Sequence, residues 1–139
     1  MKRFIVFLSM ATMLVALGAP LSAQSLNLKA NVPFEFMVSG QSMPAGDYTV
    51  APVTTLGSTI IRISNAESGV LAVVNRGDSE RTGKSALIFH RYGDQYFLSR
   101  IVNGGGATAM ELPVSRNEKE SAKTASLGRY ETVTILASL

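Results

Sequence analysis

After residue 23 the chain alternates apolar and polar positions in short runs, cut by Gly, Pro, Asn and Ser. A period of two marks β-strands with one buried face. The clearest case is residues 85–102 (SALIFHRYGDQYFLSRIV), where two aromatic and branched runs flank Gly93-Asp94. A glycine-first pair suits a two-residue type II′ hairpin turn. That register sets Phe89 opposite Leu98, His90 opposite Phe97, Ile88 opposite Ser99 and Ala86 opposite Ile101. Shorter runs at 24–31, 34–38, 48–53, 59–63, 70–74, 108–112 and 130–139 read as further strands. Pro33 places the first of them at a strand end or sheet edge. Residues 39–46 read as a turn-rich connector, 75–84 (NRGDSERTGK) as a polar excursion and 103–106 as a turn.

One stretch breaks the pattern. Ser115 with Glu118 three residues on forms a Ser-x-x-Glu capping box, residues 116–125 contain no Gly or Pro, and Gly128 is placed to end a helix. About nine short strands and one short helix near the C-terminus, with no βαβ alternation, predict an all-β fold, a small antiparallel β-sandwich or barrel.

The first 23 residues differ in kind. Lys2 and Arg3 precede an apolar run at 4–17 interrupted only by Ser9 and Thr12, and Gly18-Ala19-Pro20-Leu21-Ser22-Ala23 supplies small residues suited to a signal peptidase. This reads as a signal peptide, cleaved after Ala23, and predicts a periplasmic or extracellular protein. Residues 24–139 then form a single β-rich domain. Two of the 13 Lys and Arg lie before that cut and none of the 10 Asp and Glu, leaving 11 positive against 10 negative. So small a net charge gives no field for nucleic acid or anionic lipid. With no cysteine in the chain, disulfides and lipid-modified cysteine anchors are excluded. No later apolar run is long enough for a membrane span.

Candidate chemistry is sparse. Gly77 and Gly83-Lys84-Ser85 come near a P-loop, but five residues separate the glycines where four are needed, and a strand follows instead of a helix. Arg76-Gly77-Asp78-Ser79 contains the tripeptide recognised by integrin-type receptors, in ordinary turn chemistry. His90, the single histidine, could serve as an acid or base, with Asp94 or Tyr92 beside it, but one imidazole without thiolates does not make a usual metal site. Its place opposite Phe97 predicts a partly buried sheet residue packed on that ring. The carboxylates read as scattered singletons, and Met37, Met43 and Met110 as core filling. No catalytic, cofactor-binding or metal-binding residue is assigned. Tyr92, Tyr96, Phe97 and His90 at the aromatic end of the hairpin form the candidate ligand or interaction patch.

Residues 32–36 (VPFEF), 43–50 (MPAGDYTV) and 89–98 (FHRYGDQYFL), with the Glu111-Leu112-Pro113 step into the capped helix, resemble a group of small exported bacterial proteins. Leu would be expected where Met43 stands, a small packing change. The resemblance spans nearly all of residues 24–139 and implies export and one β-rich domain. It brings no activity, ligand or catalytic residue. The combined expectation is a non-enzymatic binding or interaction module of the cell envelope, monomeric or weakly oligomeric. It would need no cofactor, and its partner would be a small molecule or an envelope protein. Two other expectations stand beside it: a structural role through an exposed edge strand at the N-terminal run, and an enzyme using His90.

Overall fold

The structure, a computed structural model, describes residues 27–55, 58–78, 83–105, 108–125 and 128–139. The expected signal peptide and cleavage point, the expected start of the first strand at 24–26, and residues 79–82 and 106 of the two expected connectors lie outside the described residues. Among the described residues eleven strands and one helix follow in order: β1 (Leu28–Val32), β2 (Phe36–Val38), β3 (Gln41–Met43), β4 (Gly46–Thr55), β5 (Ser58–Ser64), β6 (Gly69–Val73), β7 (Asn75–Asp78), β8 (Ser85–Tyr92), β9 (Gln95–Val102), β10 (Thr108–Glu111), α1 (Arg116–Thr124) and β11 (Glu131–Ala137).

They build a β-sandwich. One sheet has the order β1-β4-β5-β6; the other runs β11-β8-β9-β10-β7, with the β2-β3 hairpin beside β9. All ladders are antiparallel except a single β2–β9 bridge, Met37 with Phe97. The sheets meet at both margins without closing as a barrel. On one side Lys29 and Ser138 exchange both backbone hydrogen bonds, joining β1 to the end of β11. On the other, Val74 alone separates β6 in the first sheet from β7 in the second.

Strand alternation supplies the core. Leu28 and Val32 of β1, Val50 of β4, Ile61 and Ile63 of β5, and Leu87 and Phe89 of β8 are all shut from water. Each such side chain contributes about 1.5–3 kcal/mol on burial. Phe34 stacks on Tyr96 at 3.8 Å and meets Phe89 edge-on at 5.1 Å, while Phe36 meets Tyr48 edge-on at 5.0 Å. Tyr48 is buried with its hydroxyl donating to the Pro44 carbonyl, and Asn65 donates to it in turn. Pro52 fits inside β4 because β1 covers that strand only as far as Val50, so a missing N–H falls at a margin.

Several expectations need correction. The hairpin turn is as expected: Gly93 has φ +61° while Asp94 stays negative, the type II′ signature. Pairing from Tyr92–Gln95 to Phe89–Leu98 also follows, but a bulge then shifts the register, so Ile88 faces Arg100 and Ala86 faces Val102. The extra residue is Ser99. It lets Leu98 and Ile101, three apart, both reach the core, which strict alternation forbids. Ser39 (φ +49°) and Gly40 (φ +83°) close a second two-residue hairpin, so the supposed connector holds β3, paired back on β2. Asn75–Asp78 is strand β7, paired with β10, which puts Arg76-Gly77-Asp78 in an extended ladder and not at a turn. Its polar sequence carries no alternation to read. Finally, β1 is not an open edge, because β11 reaches it at Lys29.

Candidate functional site

On β8 the pleat sends Phe89 and Leu87 into the core and His90 and Tyr92 to the outer face of the sheet. Helix α1 crosses that face. Ser115 caps it, its Oγ accepting the Glu118 N–H at 3.2 Å. The helix carries no apolar stripe; Glu118 is its buried residue, 4% exposed. A capping-box carboxylate would fold back to the start of the helix. Instead Glu118 points into the sheet, where its Oε1 accepts from His90 Nδ1 at 2.8 Å and from the Tyr92 hydroxyl at 3.3 Å. A Ser121 hydroxyl to Gln95 Oε1 bond makes a second polar tie.

The segment after α1 completes the cluster. Gly128 turns the chain with φ +61°, its N–H bonded to the Ala125 carbonyl, and brings Tyr130 over the imidazole. The Tyr130 and His90 rings stack at 3.8 Å and 23°. Tyr92 lies against Tyr130 at 5.7 Å and meets Phe97 edge-on at 5.8 Å. His90 thus packs on Tyr130, not on Phe97 as expected, although Phe97 is its cross-strand partner.

Electrostatically this is a buried negative charge held by two donors. Since the carboxylate accepts, Nδ1 carries the hydrogen. Burial, then the Glu118 charge and its hydrogen bond, push the Tyr92 phenol up to about 12, so it remains a donor across the physiological range. Burial also raises Tyr48, against the opposing hydrogen bond from Asn65. A carboxylate on Nδ1 is the arrangement that orients a general base. Here the imidazole face is closed by Tyr130, and the pair fastens α1 to the sheet.

The four predicted patch residues do not form one surface. His90, Tyr92 and Phe97 share the outer face beneath α1, with Tyr92 and Phe97 buried. Tyr96 is on the core side, stacked on Phe34, with the Arg91 guanidinium 5.5 Å over its ring. Asp94 sits at the turn, and the acid that meets His90 is Glu118. Two further residues, Glu118 and Tyr130, belong to the site. Glu118 was legible only as a capping residue, and Tyr130 only as the start of a strand.

Clefts border α1 along its side and at its C-terminal end. One of about 450 Å³ is lined by Met37, Gln95, Phe97 and the helix residues Asn117, Glu120 and Ser121. One of about 710 Å³ lies where the end of α1 meets the hairpin turn and the start of β11, lined by Arg91, Gly93, Thr124, Arg129, Tyr130 and Glu131. A third, of about 550 Å³, runs along the seam of the two sheets beside Lys29, Asp47, Tyr48 and Asn65. Among the described residues no three His, Cys, Asp or Glu converge as a metal site, and no helix is long and apolar enough to cross a membrane. The sequence matches no protein-family model, no curated protein and no solved structure.

Proposed function

We propose that the chain is an exported, non-enzymatic binding module of the bacterial cell envelope, working in the periplasm or outside the cell. The observation that carries this reading is the use made of the acid–base pair. Glu118 and His90 hold α1 across an aromatic sheet face, and the helix borders one cleft along its side and another at its C-terminal end. Clefts of this size fall within the range of small-molecule sites. Export rests on the charge, apolar run and small-residue segment of residues 1–23.

Native mass spectrometry of the protein purified gently from its host's envelope fraction tests both parts. The expected result is a chain starting at Gln24 with a non-covalent small-molecule mass retained. A bare monomer starting at Met1 would overturn both export and the carrier reading. A second reading, partner assembly by strand pairing, is favoured by β3, whose ladder in the described structure is filled on the β2 side alone. Co-purification of an envelope protein, lost when Ser42 is changed to Pro, would shift the balance to it.

A further inference from the structure

Tyr130 is 49% exposed although one face of its ring is covered by His90 and one edge by Tyr92. An aromatic ring fixed from behind and open in front is a stacking platform that loses little freedom on binding. Beside it in the cleft of about 710 Å³ stands Arg129, exposed and in no ion pair among the described residues. The neighbouring Arg91 is already committed, its Nε donating to the Gly93 carbonyl at 2.8 Å and its Nη1 lying 3.4 Å from Glu131 Oε2. Arg129 is therefore the group with donors to offer an anion, and a guanidinium matches a carboxylate in two-pronged geometry. The rest of the lining has the contrary character. Thr124 and Ala125 end α1 there, where a helix presents partial negative charge although the Ala125 carbonyl is taken by the Gly128 N–H, and Glu131 offers Oε1, its Oε2 being the oxygen that faces Arg91. A ligand filling the cleft must bring an anion to Arg129 and hydrogen-bond donors to the Thr124–Ala125 end and Glu131.

We propose that this cleft binds a carboxylated sugar of the uronic-acid type. Its ring lies on Tyr130, its carboxylate meets Arg129, and its hydroxyls donate to the Thr124–Ala125 end and to Glu131. The inference rests on the binding-module reading and names the ligand class of that module. The seam cleft is the weaker candidate, because its amides are consumed internally: Asn31 bonds Asp47 at 2.8 Å, and the Asn65 side chain serves Tyr48, Glu67 and Ser68.

The test is a ¹H–¹⁵N NMR titration of the full folded domain with trigalacturonate, with neutral galactotriose and benzoate as comparators. Shifts confined to Gly93, Thr124, Ala125 and 128–131, saturating with trigalacturonate alone, are expected. Arg129→Gln should weaken binding about tenfold, and Tyr130→Ala should abolish it while amides on the β4 side stay in place. Equal binding of benzoate would overturn the sugar assignment. Shifts along the seam at Lys29, Asp47 and Asn65 would overturn the site while leaving the module reading intact. If trigalacturonate does not bind although the native protein retains a small molecule, the ligand class falls alone. If neither is seen, the module reading falls with it.

Discussion

The Glu118 carboxylate keeps its charge out of water because His90 Nδ1–H and the Tyr92 phenol stand in for solvent. Replacing Glu118 with Ala strands both donors and should cost about 2 kcal/mol in urea unfolding. Gln at 118 keeps an acceptor and should cost less. A double-mutant cycle with His90→Phe, which preserves the stack on Tyr130, isolates the coupling. The raised Tyr92 phenol sets a sign for alkaline behaviour. In the unfolded chain a tyrosine ionises near its ordinary value of 10, whereas the folded Tyr92 holds its proton to about 12. The unfolded state then binds fewer protons, so the contribution is full below pH 10 and is lost as pH rises towards 12. Tyr48, shifted the same way, acts in the same direction. Thermal melts from pH 8 to 12 should fall, and the fall should be shallower in Tyr92→Phe. At the β2–β3 turn Ser39 holds a left-handed φ of +49°, which costs a side chain about 1–2 kcal/mol. Ser39→Asn, better suited to that position of a type I′ turn, should raise the melting temperature.

At the scale of elements, α1 is the unusual piece. Nine residues are too few to hold a helix in water on their own, and RNEKESAKT has no apolar stripe to bury. Its docking depends on Glu118 to the sheet and Ser121 to Gln95. Glu118→Ala is therefore expected to reduce the 222 nm helical signal and speed amide exchange in 116–124 while the strands stay protected. The turn after β9 depends on a close approach. A Cβ on Gly104 would stand 2.6 Å from the Lys84 nitrogen, backbone that cannot swing aside, and Gly104 N–H bonds the buried Ser85 hydroxyl. Gly104→Ala should therefore destabilise by about 2 kcal/mol or more, read as a lower urea midpoint with an unchanged slope.

Over the whole molecule, stability depends on joining two sheets without disulfides. The β1–β11 seam carries two backbone bonds, Lys29 N–H to Ser138 O at 2.7 Å and Ser138 N–H to Lys29 O at 2.9 Å. Ser138→Pro removes one donor. It leaves the Lys29 carbonyl unpaired at the seam and should cost about 1 kcal/mol, read as a lower urea midpoint. The other margin, at Val74, is covalent and buried, so opening should begin at the seam.

Residues 24–139 determined the β class, the single helix and its Ser115 cap, and the central hairpin with its type II′ turn. All of these are local matters of side-chain period and backbone preference at Gly93. The bulge at Ser99, the strand at Asn75–Asp78 and the destination of the Glu118 carboxylate were decided by tertiary structure alone. The bulge follows from a demand that Leu98 and Ile101 share one core, and β7 from pairing offered by a strand thirty residues on. Glu118 leaves the cap expected of it because two buried donors on a distant strand compete for it and win. Tyr130 joined the site the same way: sequence placed it at the head of a strand, and only the packing of that strand beside β8 laid its ring on His90.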